Sequence, residues 1–448
     1  MGTRPTGTPK RPADALRWRV LAALFALPMF TQCFQYMVDV PPLYVLSKVW
    51  PLLTLPLCAW ALLRLDIPYK VLFVTASVWV IGVTPVIGIV QLGNDAGAAF
   101  LTTVKVWAYS FVFSAAGLLV LLRLSAVTLQ WVILALGLGT YGIMVVLWLA
   151  VPASAYGGGD VATKIFMYDP ERGYHLYMPM FFGMLLIFYL NRSLWLHPRM
   201  WKVLAILVAF ALQLAIYKER ASIAGGVLIV ALAAGMSAGR WRIAALAALG
   251  TAAAGVVLYL LGRLENAADI HSSLGGSLAV RKVSVLTAWT YLSADPERWL
   301  LGVGATTRFG DVTLAQLFGN RMFFLTDIGW LGVAFEYGVI GALLLLLVHL
   351  AGLRAVTRWS RPDDAFSQAL VDYVLYLIVV SAIYSVVFTP GELTTVVALS
   401  YYIARVRVTH RADDVQSANF IPRHMALASP RPSGGFALPR PSGMARRG

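Results

Sequence analysis

Charge is scarce in this sequence. Asp, Glu, Lys and Arg make up 13% of its 448 residues, against 59% hydrophobic ones, and mean hydropathy is +0.74. A soluble protein of this length needs far more charge to cover its surface. Cysteine is nearly absent: Cys33 and Cys58 both fall inside apolar runs. That excludes a disulfide framework and a thiolate metal site. There is no HExxH pair, Walker loop, Rossmann fingerprint or serine nucleophile elbow. No internal repeat is visible, nor the pairwise symmetry common in transporters.

Apolar runs of about 18–25 residues fill most of the chain, which reads as an all-α polytopic membrane protein. Twelve spans are expected, at 18–38, 43–63, 69–93, 100–122, 127–152, 174–191, 200–217, 221–237, 242–262, 327–352, 368–389 and 392–408. Residues 1–17 form a basic, Pro-containing N-terminal segment. The first span is read as retained, because no small-x-small cleavage site follows promptly and FTQC is a poor lipoprotein signal. Residues 409–448, rich in Pro, Arg and Ser, read as a disordered tail.

Orientation follows the loop cations. With twelve spans both termini share one side, and that side collects 24 of the 36 Lys and Arg, including Arg192, Arg199 and Lys202. It is therefore assigned to the cytoplasm. The net charge of +15 is then mostly topology and anionic-lipid contact, and nucleic acid is not an expected partner.

The remaining cations lie against that bias. Lys164 and Arg172 belong to an outer loop, 153–173, and Lys218 and Arg220 to the tight outer turn in IYKERASIAGG. Arg281, Lys282, Arg298, Arg308 and Arg321 belong to a long outer loop, 263–326, and Lys48 and Lys105 sit just inside spans that begin outside. Embedded cations cost roughly 2.5–3.5 kcal/mol on insertion scales and usually mark function or a partner. They are satisfied either by Glu219 and lipid phosphates or by an anionic ligand at the outer leaflet.

Four stretches of the outer face could carry chemistry. SLAVRKVSVLTAWTYL (277–292) has helical spacing, with Ser277 as a candidate N-cap and Leu278, Arg281, Val285, Trp289 and Leu292 on about one face. It reads as an amphipathic helix on the outer surface, where Arg281 and Lys282 meet a phosphate or lipid headgroups. In SADPERWLLGVG, Asp295-Pro296 signals a helix start, and the GVG reads as a turn rather than a phosphate cradle. In TDIGWLGVAFEYGVIGALLLL, Asp327 is either an N-cap or a general base at the outer mouth of a span. Glu336, nine residues deeper, is a partner for Lys105 or Lys48. In MYDPERGYHLYMP, Arg172 and His175 lie among Tyr168, Tyr174 and Tyr177, which serve as sugar-stacking faces or as interfacial belt residues. His271 is a rival base, and Asp363–Asp364 and Asp413–Asp414 read as solvated cytoplasmic pairs.

Three stretches of the outer face resemble the bacterial O-antigen polymerase and ligase superfamily, over about residues 174–352. YKERASIAGG resembles its short outer turn, where an arginine precedes a small-residue helix. The Arg281 helix with DPERWLLGVG resembles its arginine-bearing loop helix and Gly-x-Gly turn. TDIGWLGVAFEYGVIGALLLL resembles the segment opening the next span. The ligases have a histidine where this chain has Asp327, and a DIG start resembles the repeat-unit polymerases. Their Arg-x10-Gly pattern occurs at Arg172–Gly183, Arg308–Gly319 and Arg321–Gly332, but also in the tail at Arg423–Gly434, so it discriminates little.

The resemblance implies a GT-C-like, metal-independent glycosyltransferase of the bacterial inner membrane, with no cofactor and a periplasmic active site. It would polymerise oligosaccharide repeat units carried on undecaprenyl pyrophosphate, for an exopolysaccharide or O-antigen. Arg220 and Arg281 would hold the pyrophosphate, and Asp327 would activate the acceptor hydroxyl. Lys218, Arg172, Lys282, His271, Tyr174 and Arg308 would complete the substrate site. A chain-length regulator and a lipid-glycan flippase are the partners it implies, beside membrane lipids. The competing readings are a ligase, a lipid-glycan transporter and a non-catalytic assembly subunit.

Overall fold

The computed structural model describes residues 12–35, 37–158, 165–169, 172–237, 239, 276–304, 314–319, 323–385 and 389–419. The expected span 242–262 lies outside them, as do Lys164, His271, Arg308 and Arg321.

The protein is a helical, multi-pass membrane protein. Among the described residues, seven helical stretches are long and apolar enough to cross a bilayer: Pro41–Arg64, Lys70–Leu92, Ala96–Leu122, Ala126–Ala150, Met200–Tyr217, Arg220–Ser237 and Gly329–Trp359. Phe181–Leu196 and Ala365–Val380 are apolar helices of 16 residues each. The first helix, Pro12–Phe30, stops well short of residue 38. Gln32 follows it in the left-handed region at φ 58°, and its side chain accepts from Gly391 N (2.8 Å) and donates to Lys105 O (3.2 Å). These bonds tie the end of the first helix to two others. At the far end, helix Pro390–Asn419 extends to Asn419, into the stretch expected to be disordered from 409.

The span expected at 174–191 is corrected. Three short strands instead form a sheet, with β1 Gly157–Gly158 parallel to β2 Phe166–Asp169, and β2 antiparallel to β3 Gly173–Leu176. The helix begins only at Phe181. Gly173 at φ 66° closes the β2–β3 turn, where a side chain would be strained.

Helix Gly329–Trp359 is broken at Gly338 (φ 70°, ψ 175°). A break inside a membrane frees carbonyls that must find donors within the protein. Three consecutive ones do so. Phe335 O accepts from Val303 N (2.8 Å), Glu336 O from Gly304 N (3.1 Å) and Tyr337 O from Trp79 Nε1 (3.0 Å). The GVG after the Pro296–Leu301 helix is thus a turn, as expected, and it fills the break. Its packing needs bare backbone, because a Cβ on Gly302 would strike Gly338 N and one on Gly338 would strike Leu300 O. Gly338→Ala adds this clash to a positive φ, and is expected to destabilise the fold by about 1–3 kcal/mol. Thermal unfolding of the purified protein in lipid nanodiscs checks this against Gly139→Ala, a position with open space around it.

Loop helix Gly276–Ser293 packs onto this broken region. Ala288 and Leu292 join Val303, Phe323, Leu325, Ile328 and Phe335 in one apolar core. The buried face is Ser284, Ala288 and Leu292, whereas Val285 and Trp289 are exposed. The expected face is therefore rotated by about one residue, and Ser277 lies inside the helix rather than at its cap. Asp295 does cap the next helix, its Oδ1 accepting from Glu297 N at 3.0 Å.

Candidate functional site

Segments far apart in sequence meet at one end of the bundle. Asp39 Oδ2 accepts from Ile165 N (2.9 Å), and Lys218 Nζ donates to Arg172 O (2.8 Å). Ser385 N donates to Thr326 O (2.9 Å), and Phe324 N to Ser284 Oγ (3.4 Å). This is the end that the charge bias assigns away from the cytoplasm.

Glu219 is its centre. Its Oε1 pairs with Arg172 NH1 at 2.7 Å, and its Oε2 accepts from the Tyr384 hydroxyl at 3.3 Å. The turn that presents it is forced by Lys218, which sits at φ 58° and ends a π-helical turn, Gln213–Tyr217. Lys218 Nζ also lies 5.9 Å from the centroid of the Trp148 ring.

The Arg281 guanidinium stands 5.4 Å from the Tyr384 ring centroid, within cation–π range. Its Nε is buried and has no hydrogen-bond partner among the described residues. Burial pushes the Tyr384 phenol up, and the Glu219 charge raises it further, while Arg281 pulls it down. Asp327 also acts on Tyr384, raising it. Burial, then Glu219, Tyr384, Glu392 and Asp327, likewise push up the phenol of Tyr177. Both phenols therefore keep their protons at neutral pH and remain hydrogen-bond donors.

Asp327 ends the short turn Leu325–Asp327 and is half-buried, with Oδ1 accepting from Thr326 Oγ1 at 3.2 Å. It does not cap the following helix, whose N-cap is Ile328 with no side-chain bond. The carboxylate is thus left for other work.

The structure gathers Arg172, Lys218, Arg281 and Asp327 around the Glu219–Tyr384 pair. Arg220, the first residue of its helix, is exposed and makes no hydrogen bond or ion pair among the described residues. Lys282 is exposed, on the side of the loop helix turned away from its buried face, and does not join the cluster. Tyr174 is 42% exposed on the adjoining hairpin. His175 is buried, its Nδ1 3.0 Å from Gly173 O. His271 and Arg308 lie outside the described residues.

Deeper in the bundle, Lys105 Nζ holds both carboxylate oxygens of buried Glu336, at 2.7 and 2.9 Å. Lys105 rather than Lys48 is therefore the partner of Glu336. Lys48 lies instead 5.3 Å from the Tyr44 ring centroid.

Tyr384 was not a candidate from the sequence, whereas Glu219 was read only as a partner for the cations of its turn and Tyr177 only as one of three loop tyrosines. Glu219 had a visible signal, since a carboxylate between two cations in a tight turn is placed to pair with one of them. A lone tyrosine at the end of an apolar run gives no such signal.

Chemically, the cluster offers a guanidinium with a free buried donor, a second cation, a carboxylate and two protonated phenols. That set suits an oxyanion and a nearby hydroxyl. Among the described residues, no three His, Cys, Asp or Glu side chains are grouped as metal ligands. No family model matches this chain, and no curated protein matches it either.

Proposed function

We propose that this chain is a membrane glycosyltransferase that polymerises oligosaccharide repeat units carried on undecaprenyl pyrophosphate, at the periplasmic face of a bacterial inner membrane. The observation that carries the reading is the buried, unpartnered Nε of Arg281 in the same cluster as Asp327. A guanidinium without its own carboxylate suits a leaving pyrophosphate, and a carboxylate not used as a cap suits an acceptor hydroxyl.

In this reading Asp327 takes the proton from a sugar hydroxyl of the acceptor. The hydroxyl oxygen attacks the anomeric carbon of the donor. The bond from that carbon to the pyrophosphate oxygen breaks, and its electron pair leaves with the lipid pyrophosphate. Arg281 and exposed Arg220 bind the leaving group, and Lys218 adds charge beside them. Arg172, already paired with Glu219, positions Lys218 and its turn rather than neutralising the ligand.

The transport reading draws on the helix broken at Gly338 beside the buried Lys105–Glu336 pair, since broken helices with midplane charges mark transporter sites. Against it, the freed carbonyls are already taken by Val303, Gly304 and Trp79.

The test uses purified protein in nanodiscs with a defined undecaprenyl-pyrophosphate repeat unit and a chelator. A ladder of longer glycans that disappears in Asp327→Asn is the expected result. Transfer of a single glycan to an added lipid acceptor, with no ladder, makes the protein a ligase instead.

A further inference from the structure

The β2–β3 hairpin contributes Tyr168, Tyr174 and Phe166 to a group of aromatic rings that meets the charge cluster where Lys218 approaches Trp148. Tyr168 and Tyr174 face each other across the strands as direct register partners, with ring centroids 4.9 Å apart. Tyr156 sets its ring edge-on to Tyr174 at 5.2 Å and to Phe166 at 5.5 Å, and Trp148 lies 6.1 Å beyond Tyr156. The group deepens into the fold at one end, where Leu176, register partner of Phe166, is fully buried. At the other end, beside Arg172 and Gly173, Tyr168 and Tyr174 are 41% and 42% exposed.

The hairpin is firmly held. Ile165 N is fixed by Asp39, Tyr177 N donates to Ile165 O at 2.8 Å, and Lys218 holds the carbonyl of Arg172. The exposed rings are therefore presented at a fixed place, and the turn between them is shared with the cation cluster.

We propose that Tyr168 and Tyr174 form a saccharide-binding platform that holds sugar rings of a glycan beside the charged site. The face of a pyranose ring that presents its axial C–H groups is apolar and packs on an aromatic ring, while its rim of hydroxyls seeks donors and acceptors. Two tyrosines offer both in one place, each a flat face with a hydroxyl at its edge. A purely apolar occupant would leave those hydroxyls without partners. The turn carrying Arg172 and touching Lys218 joins the platform to the cluster, so a glycan on the platform runs towards the cations that would hold its pyrophosphate. This inference rests on the group-transfer reading of that cluster, and extends it from the leaving group to the sugar chain.

Saturation-transfer NMR on the full-length protein in nanodiscs, with cellohexaose and laminarihexaose as probes, tests binding without any lipid-linked substrate. Saturation of the axial C–H protons of at least one probe is expected. Tyr168→Ala should weaken it by about tenfold and Tyr168→Phe should retain most of it, with unchanged melting temperatures. In the elongation assay, Tyr168→Ala should shorten the ladder while the first coupling proceeds. The absence of saturation for both probes, or saturation indifferent to Tyr168→Ala, overturns the platform. If the platform is lost but the ladder remains, the polymerase reading stands without it. If saturation is seen but no ladder forms, sugar binding stands and the polymerase reading falls.

A third arm addresses bilayer contact. Both native cysteines are buried, so Tyr168→Cys accepts a fluorophore at one site. Quenching by lipids with a nitroxide in the upper acyl chain would assign the rings to the membrane and overturn the proposal; no quenching supports it.

Discussion

Arg281→Ala is expected to slow glycan transfer by about 10²–10³-fold, the loss seen when one preorganised donor to a developing oxyanion is removed. The buried Nε has no other partner among the described residues, so its donor capacity is unspent until a ligand arrives. The substitution leaves the core of the loop helix untouched, since that core is made by Ala288 and Leu292. Arg281→Lys restores the charge but not the planar fork, and so recovers only part of the rate. Single-turnover rates with matched thermal unfolding curves separate the two effects. A variant that folds normally and transfers normally would remove Arg281 from the mechanism.

Asp372→Ala is expected to cost about 3–5 kcal/mol of stability without lowering the rate per folded molecule. Asp372 accepts from Arg192 twice, Oδ2 from Nε and Oδ1 from NH2, both at 2.6 Å, and its side chain is 1% exposed. Removing the carboxylate strands a buried guanidinium between helices Phe181–Leu196 and Ala365–Val380. Replacing both partners by leucine is far less costly, because no charge is then left alone. Thermal unfolding of the single and double variants measures the difference. The pair is remote in role from the Arg281 cluster, so a loss of specific activity in the folded single variant would contradict this division of labour.

Arg192 also shows what charge counting can and cannot read. It contributed to the basic-loop pattern, yet it is buried inside a helix and paired. Lys202 is similar: it is 5% exposed and donates to Ser193 O, Ser193 Oγ and His197 O. A cation near a helix end serves topology, a cap or an ion pair, and composition alone does not separate these. The long apolar runs, by contrast, were legible because a bilayer demands them. The Asp295 cap, the GVG turn and the need of Glu336 for a lysine were legible too, each from a local chemical need, whereas the choice of Lys105 over Lys48 came from the fold.

The start of the span expected at 174–191 was misplaced for a different reason, since the apolar helix there begins at Phe181. Gly173 between two Tyr-rich stretches is a hairpin signal with a short loop, but hydropathy averaged over the window hid it. The breaks at Gln32 and Gly338 were hidden because their causes lie in distant partners, Gly391 for one and the GVG turn for the other. The site was half legible: Arg172, Lys218, Arg281 and Asp327 could be named from the sequence. Glu219 and Tyr384, which join them, depend on a fold that brings residue 384 beside residue 219.

The most direct measurement counts the leaving group. Purified protein in nanodiscs, supplied with the lipid-linked repeat unit and a chelator, should release one undecaprenyl pyrophosphate for each new glycosidic bond in the ladder. Both should stop together in Asp327→Asn. Substrate that neither lengthens nor releases its lipid pyrophosphate, under conditions where the protein is folded and binds it, would contradict glycosyl transfer at this cluster.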